Sequence, residues 1–162
     1  ELAGSSAAGA KAGELLQAFR QKAFPVIHIQ HISTRPGVSF FLPNSVGVQI
    51  HEGVAPASGE AVFQKNYPNS FYETPLLKHL RDHQLSQLVI AGMMTHMCID
   101  TTTRAAADLG FQCVLAHDAC AARALSFGSA TVSAENVHTA FLAALNGFFA
   151  KVLSVEEICA NL

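Results

Sequence analysis

Cys98 is the side chain with the clearest capacity for covalent chemistry. It ends the stretch Leu88-Val89-Ile90-Ala91-Gly92-Met93-Met94-Thr95-His96-Met97-Cys98. The opening run, apolar and rich in branched residues, reads as a buried parallel strand. Gly92 breaks it. A helical pattern follows in Ile99, Thr102, Thr103, Ala106 and Leu109, closed by Gly110. Cys98 is therefore expected where a strand has ended and a helix begins. There a thiol meets unpaired N–H groups and the positive end of the helix dipole, which favour the thiolate. The same N–H groups suit an oxyanion. Ligands of open α/β sheets bind beyond the carboxyl ends of the strands, where this cysteine would lie. The plain alternative is a buried, inert thiol, and Cys113, Cys120 and Cys159 are read that way.

The strand, the Gly-x-x-Thr-x-x-Cys spacing and the helix opening Ile99-Asp-x-Thr-x-Arg-Ala-Ala resemble the nucleophile segment of the isochorismatase-like cysteine hydrolases. That family includes nicotinamidases and N-carbamoylsarcosine amidase. A second stretch, Phe63-Gln-Lys-Asn-Tyr-Pro-Asn-Ser-Phe71, resembles the family's lysine motif. The resemblance implies that the ammonium of Lys65 lies beside the sulfur of Cys98 and stabilises thiolate and tetrahedral anion. It makes Phe71 a candidate pocket wall, although a core Phe is nearly as good a reading. It places the oxyanion hole at the backbone N–H groups of Met94 and Cys98, with a cis peptide bond between Met94 and Thr95. An ordinary trans turn is the alternative there.

The family's third catalytic group, an aspartate ending the first strand, has no counterpart. The aspartates are Asp82, Asp100, Asp108 and Asp118, and none follows an early apolar strand. The resemblance implies that this strand lies upstream of residue 1, between the strands expected at Val26 and Leu88. The sequence is accordingly read as a single, N-terminally incomplete domain, 1–162, of a longer chain.

The eight histidines call for a metal test. His28 and His31 fall on opposite faces of one strand. His79 and His83 are four apart on a helix, but no third ligand is evident. Nicotinamidases carry an Asp-x-His metal motif after the second strand. The matching residues here are His31-Ile32-Ser33, which argues against a metal and against nicotinamide. His31 and His96 are instead candidate polar groups of the pocket. No phosphate-binding glycine loop is present, so no cofactor is expected.

Alternating helices and parallel-type strands must position these groups. Ala8 to Lys22 reads as an amphipathic helix and Val26 to His31 as a strand. Residues 33–59 form a long Pro- and Gly-rich stretch, with only Val46 to Ile50 hinting at an edge strand. Its apolar content suggests a lid or a subunit contact. Ala61 to Lys65 is a short strand. Thr74-Pro75 opens a helix, and Gln112 to Ala116 is a strand. Ser133 caps a long helix carrying residues through Phe149, and Val152-Leu153 is a short edge strand. Ser154 to Glu157 is a capping box. The expected fold is α/β, a doubly wound, mostly parallel, Rossmann-like sheet flanked by helices.

Half of the residues are hydrophobic and 14% charged, and the formal net charge is -2. That balance offers nothing to nucleic acid or an acidic membrane. Its apolar excess suggests surface buried in an extended core or between subunits, hence a homo-oligomer of dimer size or larger, and the family resemblance implies a small-molecule substrate. Unpaired cysteine spacing fits a reducing cytoplasm. The resulting expectation is a metal-independent cysteine hydrolase of a small amide or related C–N bond. A vinyl-ether hydrolase of isochorismate type is the alternative within the fold. A catalytically silent subunit or binding module is the alternative outside enzymology.

Overall fold

A computed structural model describes residues 2–162. Helix α1 (Ser5–Gln21) leads to strand β1 (Ile27–His31). Strand β2 (Ala61–Lys65), helix α2 (Leu76–Asp82) and strand β3 (Gln87–Met93) follow. A π-helical turn, Thr95–Ile99, runs directly into helix α3 (Asp100–Asp108). Strand β4 (Gln112–Ala121) precedes a small antiparallel hairpin of β5 (Leu125–Phe127) and β6 (Ala130–Val132). Helix α4 (Ala134–Leu145), strand β7 (Lys151–Leu153) and helix α5 (Val155–Cys159) complete the chain.

The parallel strands form two sheets. One pairs β1 with β2, and the other has the order β3-β4-β7. Helices cover both faces, as a doubly wound arrangement requires. On one side Leu76 and Leu80 of α2, Ala106 of α3 and Leu145 of α4 pack on Leu115 of β4. On the other, Leu15 of α1 meets Val155 and Ile158 of α5 over Ala116 and Ala119. Among the described residues, β1 has β2 on one edge and β3 has β4 on one edge, and their other edges face a common cavity of about 580 Å³. Its wall includes every residue of β3 in succession, Gln87 to Met93. A sheet face would contribute alternate residues, so the cavity runs along the backbone edge of β3.

Several local expectations hold and several need correction. Ser133 accepts from the N–H of Asn136 at 3.2 Å, and Ser154 with Glu157 forms a complete capping box. Thr74, the expected N-cap of α2, lies one residue before the observed cap, Pro75, but its Oγ1 still accepts from the N–H of Leu76 at 3.3 Å. The stretch Val46 to Ile50 is not a strand. Val46–Val48 forms a 3-10 turn, and a second covers Glu52–Val54. Helix α4 stops at Leu145, short of Phe149, because Asn146 turns to extended backbone. The hairpin β5–β6 was not expected from sequence.

The long segment is fastened to the body through Glu60. Its carboxylate accepts two hydrogen bonds from Arg20 of α1, at 2.7 and 2.8 Å, and one from the N–H of Ala57 at 2.8 Å. It also pairs with His28 of β1 at 2.7 Å. The Arg20 guanidinium holds this carboxyl far below the usual carboxylate range. Gln30 of β1 adds a bond to the Val48 carbonyl at 2.7 Å.

Candidate active site

The cavity reaches Cys98 and Lys65 together. Cys98 is half-buried in the π-helical turn that joins β3 to α3, so its sulfur can meet a ligand. The pairing of β3 and β4 shifts between Ile90 and Gly92. Ile90 pairs with Leu115, but Gly92 pairs with Cys120. Gly92 has φ +129, a backbone state an L side chain rarely adopts. A glycine is thus needed where the strand turns out toward the site.

The cis peptide bond lies between Met93 and Met94, not between Met94 and Thr95 as expected. Met94 itself is extended, with φ -94 and ψ 147, and its carbonyl accepts from the N–H groups of Met97 and Ile99 at 3.0 and 3.3 Å. The change of direction therefore precedes Met94, and the chain enters the helical turn after it.

Lys65 ends β2 with only 4% of its surface exposed. An ammonium that deep needs partners. It donates to the Pro68 carbonyl at 2.5 Å. Burial pushes its pKa down, and the nearby Cys98 sulfur acts the other way, stabilising the ammonium. Two residues that the sequence reading did not single out hold this arrangement. Thr102 of α3 donates to Ser70 Oγ at 3.0 Å and accepts from the N–H of Ser70 at 3.1 Å. The Pro68–Ser70 loop that receives the lysine is thus tied to the helix that follows the cysteine. The only sequence signal was a Thr on the inner face of α3.

Phe71 lines the cavity and also stacks on Phe111, with ring centroids 6.0 Å apart, so both readings of it hold. His31 lines the cavity beside Phe41. His96 does not. It is buried against Phe141 of α4, and both ring nitrogens are without partners. The wide π turn directs His96 toward α4 and Cys98 toward the cavity. A regular 3.6-residue count does not anticipate this. His79 and His83 stack 4.2 Å apart, and among the described residues no three His, Cys, Asp or Glu side chains group as metal ligands. Burial raises Cys113 to about 11 and Cys120 to about 12, as expected of inert core thiols.

Residues 1–157 match the family model described as the isochorismatase domain. The chain belongs to the isochorismatase family of hydrolases. It is 46% identical over 149 residues to the Bacillus subtilis isochorismatase family protein YddQ, covering 92% of this chain and 83% of that protein. A crystal structure of an isochorismatase hydrolase from Oleispira antarctica superposes with a TM-score of 0.95 at 49% identity, covering 99% of this chain and 84% of the other. Maleamate amidohydrolase from Pseudomonas putida is 33% identical over 67 residues, 41% of this chain and 32% of that enzyme. Among the described residues no helix is long and apolar enough to cross a membrane.

Proposed function

We propose that this isochorismatase-family chain is a cysteine hydrolase of a small amide, acting through a thioester. One observation carries the reading: a deeply buried lysine and a reachable cysteine share one cavity at the carboxyl ends of β2 and β3. The likeness to an amidohydrolase favours an amide over other C–N bonds.

In this mechanism Lys65 stabilises the thiolate of Cys98, and the sulfur adds to the substrate carbonyl. The N–H groups of Met94 and Cys98 receive the oxyanion. The tetrahedral intermediate expels the amine, which takes up a proton, and leaves a thioester. Water then adds to the thioester, the thiolate departs, and the acid is released.

The proton is carried by an aspartate at the end of a strand lying between β1 and β3. Two unpaired parallel edges facing one cavity support this placement, since edges in mid-sheet leave backbone groups unsatisfied. A crystal structure of the natural full-length protein tests it. A gap filled by a segment without a carboxylate near Cys98 overturns this part of the mechanism.

Screening small amides with the full-length protein, with Cys98→Ala as control, tests the reaction. Turnover lost in Cys98→Ala supports the reading, and turnover retained overturns it. Lys65→Met is expected to lower kcat/KM by about 10²–10³, the scale for removing one stabiliser of a developing anion.

A further inference from the structure

We propose that two copies of the chain pair through the β5–β6 hairpin and the outer face of α4. The two α4 helices run antiparallel, so that Phe127 of each copy meets Phe148 of the other. The proposal concerns a surface and does not depend on the chemistry at Cys98.

The first support is the hairpin. Among the described residues β5 and β6 pair only with each other, and neither strand packs substantially on another element. A two-stranded hairpin standing alone is marginal in water. Phe127 is 93% exposed on it, and Val132 is exposed as well. The hairpin runs into α4 through Ser133, so it stands at the N-terminal end of that helix. Just past the other end Phe148 is 85% exposed, while Phe149 beside it lies under the Arg104 guanidinium, 4.5 Å from the ring centroid. Two rings held in water at the two ends of one helix are surface that gains by being covered.

The second support is charge, and it selects the occupant. From Ala124 to Ala150 the sequence holds one Asp, Glu, Lys or Arg, Glu135. Helix α4 exposes Thr139, Ala140, Ala143 and Ala144. By contrast α1 sets out Lys11 with Glu14, and α2 sets out Lys78 with Asp82, as exposed ion pairs. A two-fold axis brings a surface against its own copy, so charges near the axis face their like at a cost. A face without charges avoids that cost, and it offers nothing to a partner recognised by charge. Its small side chains also let two helix axes approach to about 8 Å.

The dimensions agree. Helix α4 has 12 residues and is therefore about 18 Å long. Antiparallel pairing sets the hairpin of one copy beside Phe148 of the other, once at each end. The four rings of such a pair bring roughly 600–800 Å². Val132 and the two α4 faces carry the total toward the ~1,200–2,000 Å² of stable interfaces.

Sedimentation equilibrium of the full-length protein measures the pairing. Phe127→Asp and Phe148→Asp should each raise the dimer Kd by about a hundredfold or more, because each removes two rings from the interface. Far-UV circular dichroism should stay unchanged, since both rings lie mostly in solvent. A chain carrying Phe127→Cys together with Phe148→Cys tests the register. Mild oxidation should link two copies covalently, with peptide mapping placing the bond between positions 127 and 148. Neither single variant should form that link. A disulfide needs Cα atoms within about 7 Å, so α4 between the two positions bars a bridge inside one chain. A parent protein that stays monomeric at tens of micromolar overturns the proposal, and if it then sediments with phosphatidylcholine vesicles the rings belong to a lipid surface. A dimer whose Kd is the same in both Asp variants overturns it too. So does a covalent dimer bridged through Phe127→Cys alone, which would put the two hairpins together at the axis.

Discussion

Thr95 Oγ1 and His138 Nδ1 lie 2.8 Å apart, joining the first residue of the nucleophile turn to helix α4. Thr95 is fully buried, so its hydroxyl has little recourse to water if the partner goes. His138→Ala and Thr95→Val should each cost about 1–3 kcal/mol, a fall in Tm of roughly 3–10 °C. Combined, they should cost far less than the sum, since one bond is lost once. Thermal denaturation of the four proteins in the cycle measures this. Strict additivity would show that the bond contributes nothing.

Thr102 and Ser70 tie the loop receiving Lys65 to α3. Thr102→Val keeps the shape and removes both hydrogen bonds to Ser70. We expect slower alkylation of Cys98 by iodoacetamide, with a loss of about 1–2 kcal/mol in stability. Thr102→Ser should restore the alkylation rate. Failure of serine to rescue would assign the effect to packing of the methyl group.

His96 is buried with both ring nitrogens unpaired. His96→Leu should therefore leave stability unchanged or raise it, because a polar group without partners is replaced by an apolar one of similar size. The change also bears on pH. Burial lowers the pKa of His31, His96 and His138, helped by Lys65 and Arg35, by Arg123 and by His117 respectively. Each then stays neutral in the folded protein at pH values where the unfolded chain, near 6.5, already binds a proton. Stability should fall as pH drops below about 6.5, and His96→Leu should flatten that slope. Urea midpoints at about pH 5.5 and 7.5 check both statements.

Glu60 joins α1, β1 and the long segment. Its folded pKa is depressed, so its contribution is present above about 4.3 and is lost as pH falls below that toward the folded value. Glu60→Gln should lower Tm by a few degrees at neutral pH, for a loss of about 1 kcal/mol. The difference from the parent protein should shrink in acid. A constant difference from about pH 7 down to 3 would show that charge plays no part.

Where side chains follow local period and position, the sequence was legible. Strand-then-helix patterning located Cys98 at the junction of β3 and α3, and the short apolar run Ala61 to Lys65 located Lys65 at the end of β2. His28 and His31 diverge as a two-residue period requires, one to Glu60 and one to the cavity. The failures have physical causes. The π turn changes the rotation per residue and sends His96 away from the cavity. Counting back from Cys98 misplaced the cis bond by one residue, since nothing local distinguishes Met93 from Met94. The hairpin β5–β6 has three-residue strands about a turn at Gly128, too short to register as alternation. Thr102–Ser70 and Thr95–His138 join residues more than thirty positions apart, and no single stretch carries both partners.

Of residues 33–59 only Phe41 reaches the cavity, and the segment holds none of the bonds that fix the turn carrying the sulfur. The turn that carries the sulfur and this segment are thus built from different parts of the chain. Grafting a relative's segment over positions 33–59, with Glu60 and Gln30 kept as its anchors, should retune which molecules are accepted while the nucleophile stays as reactive as before.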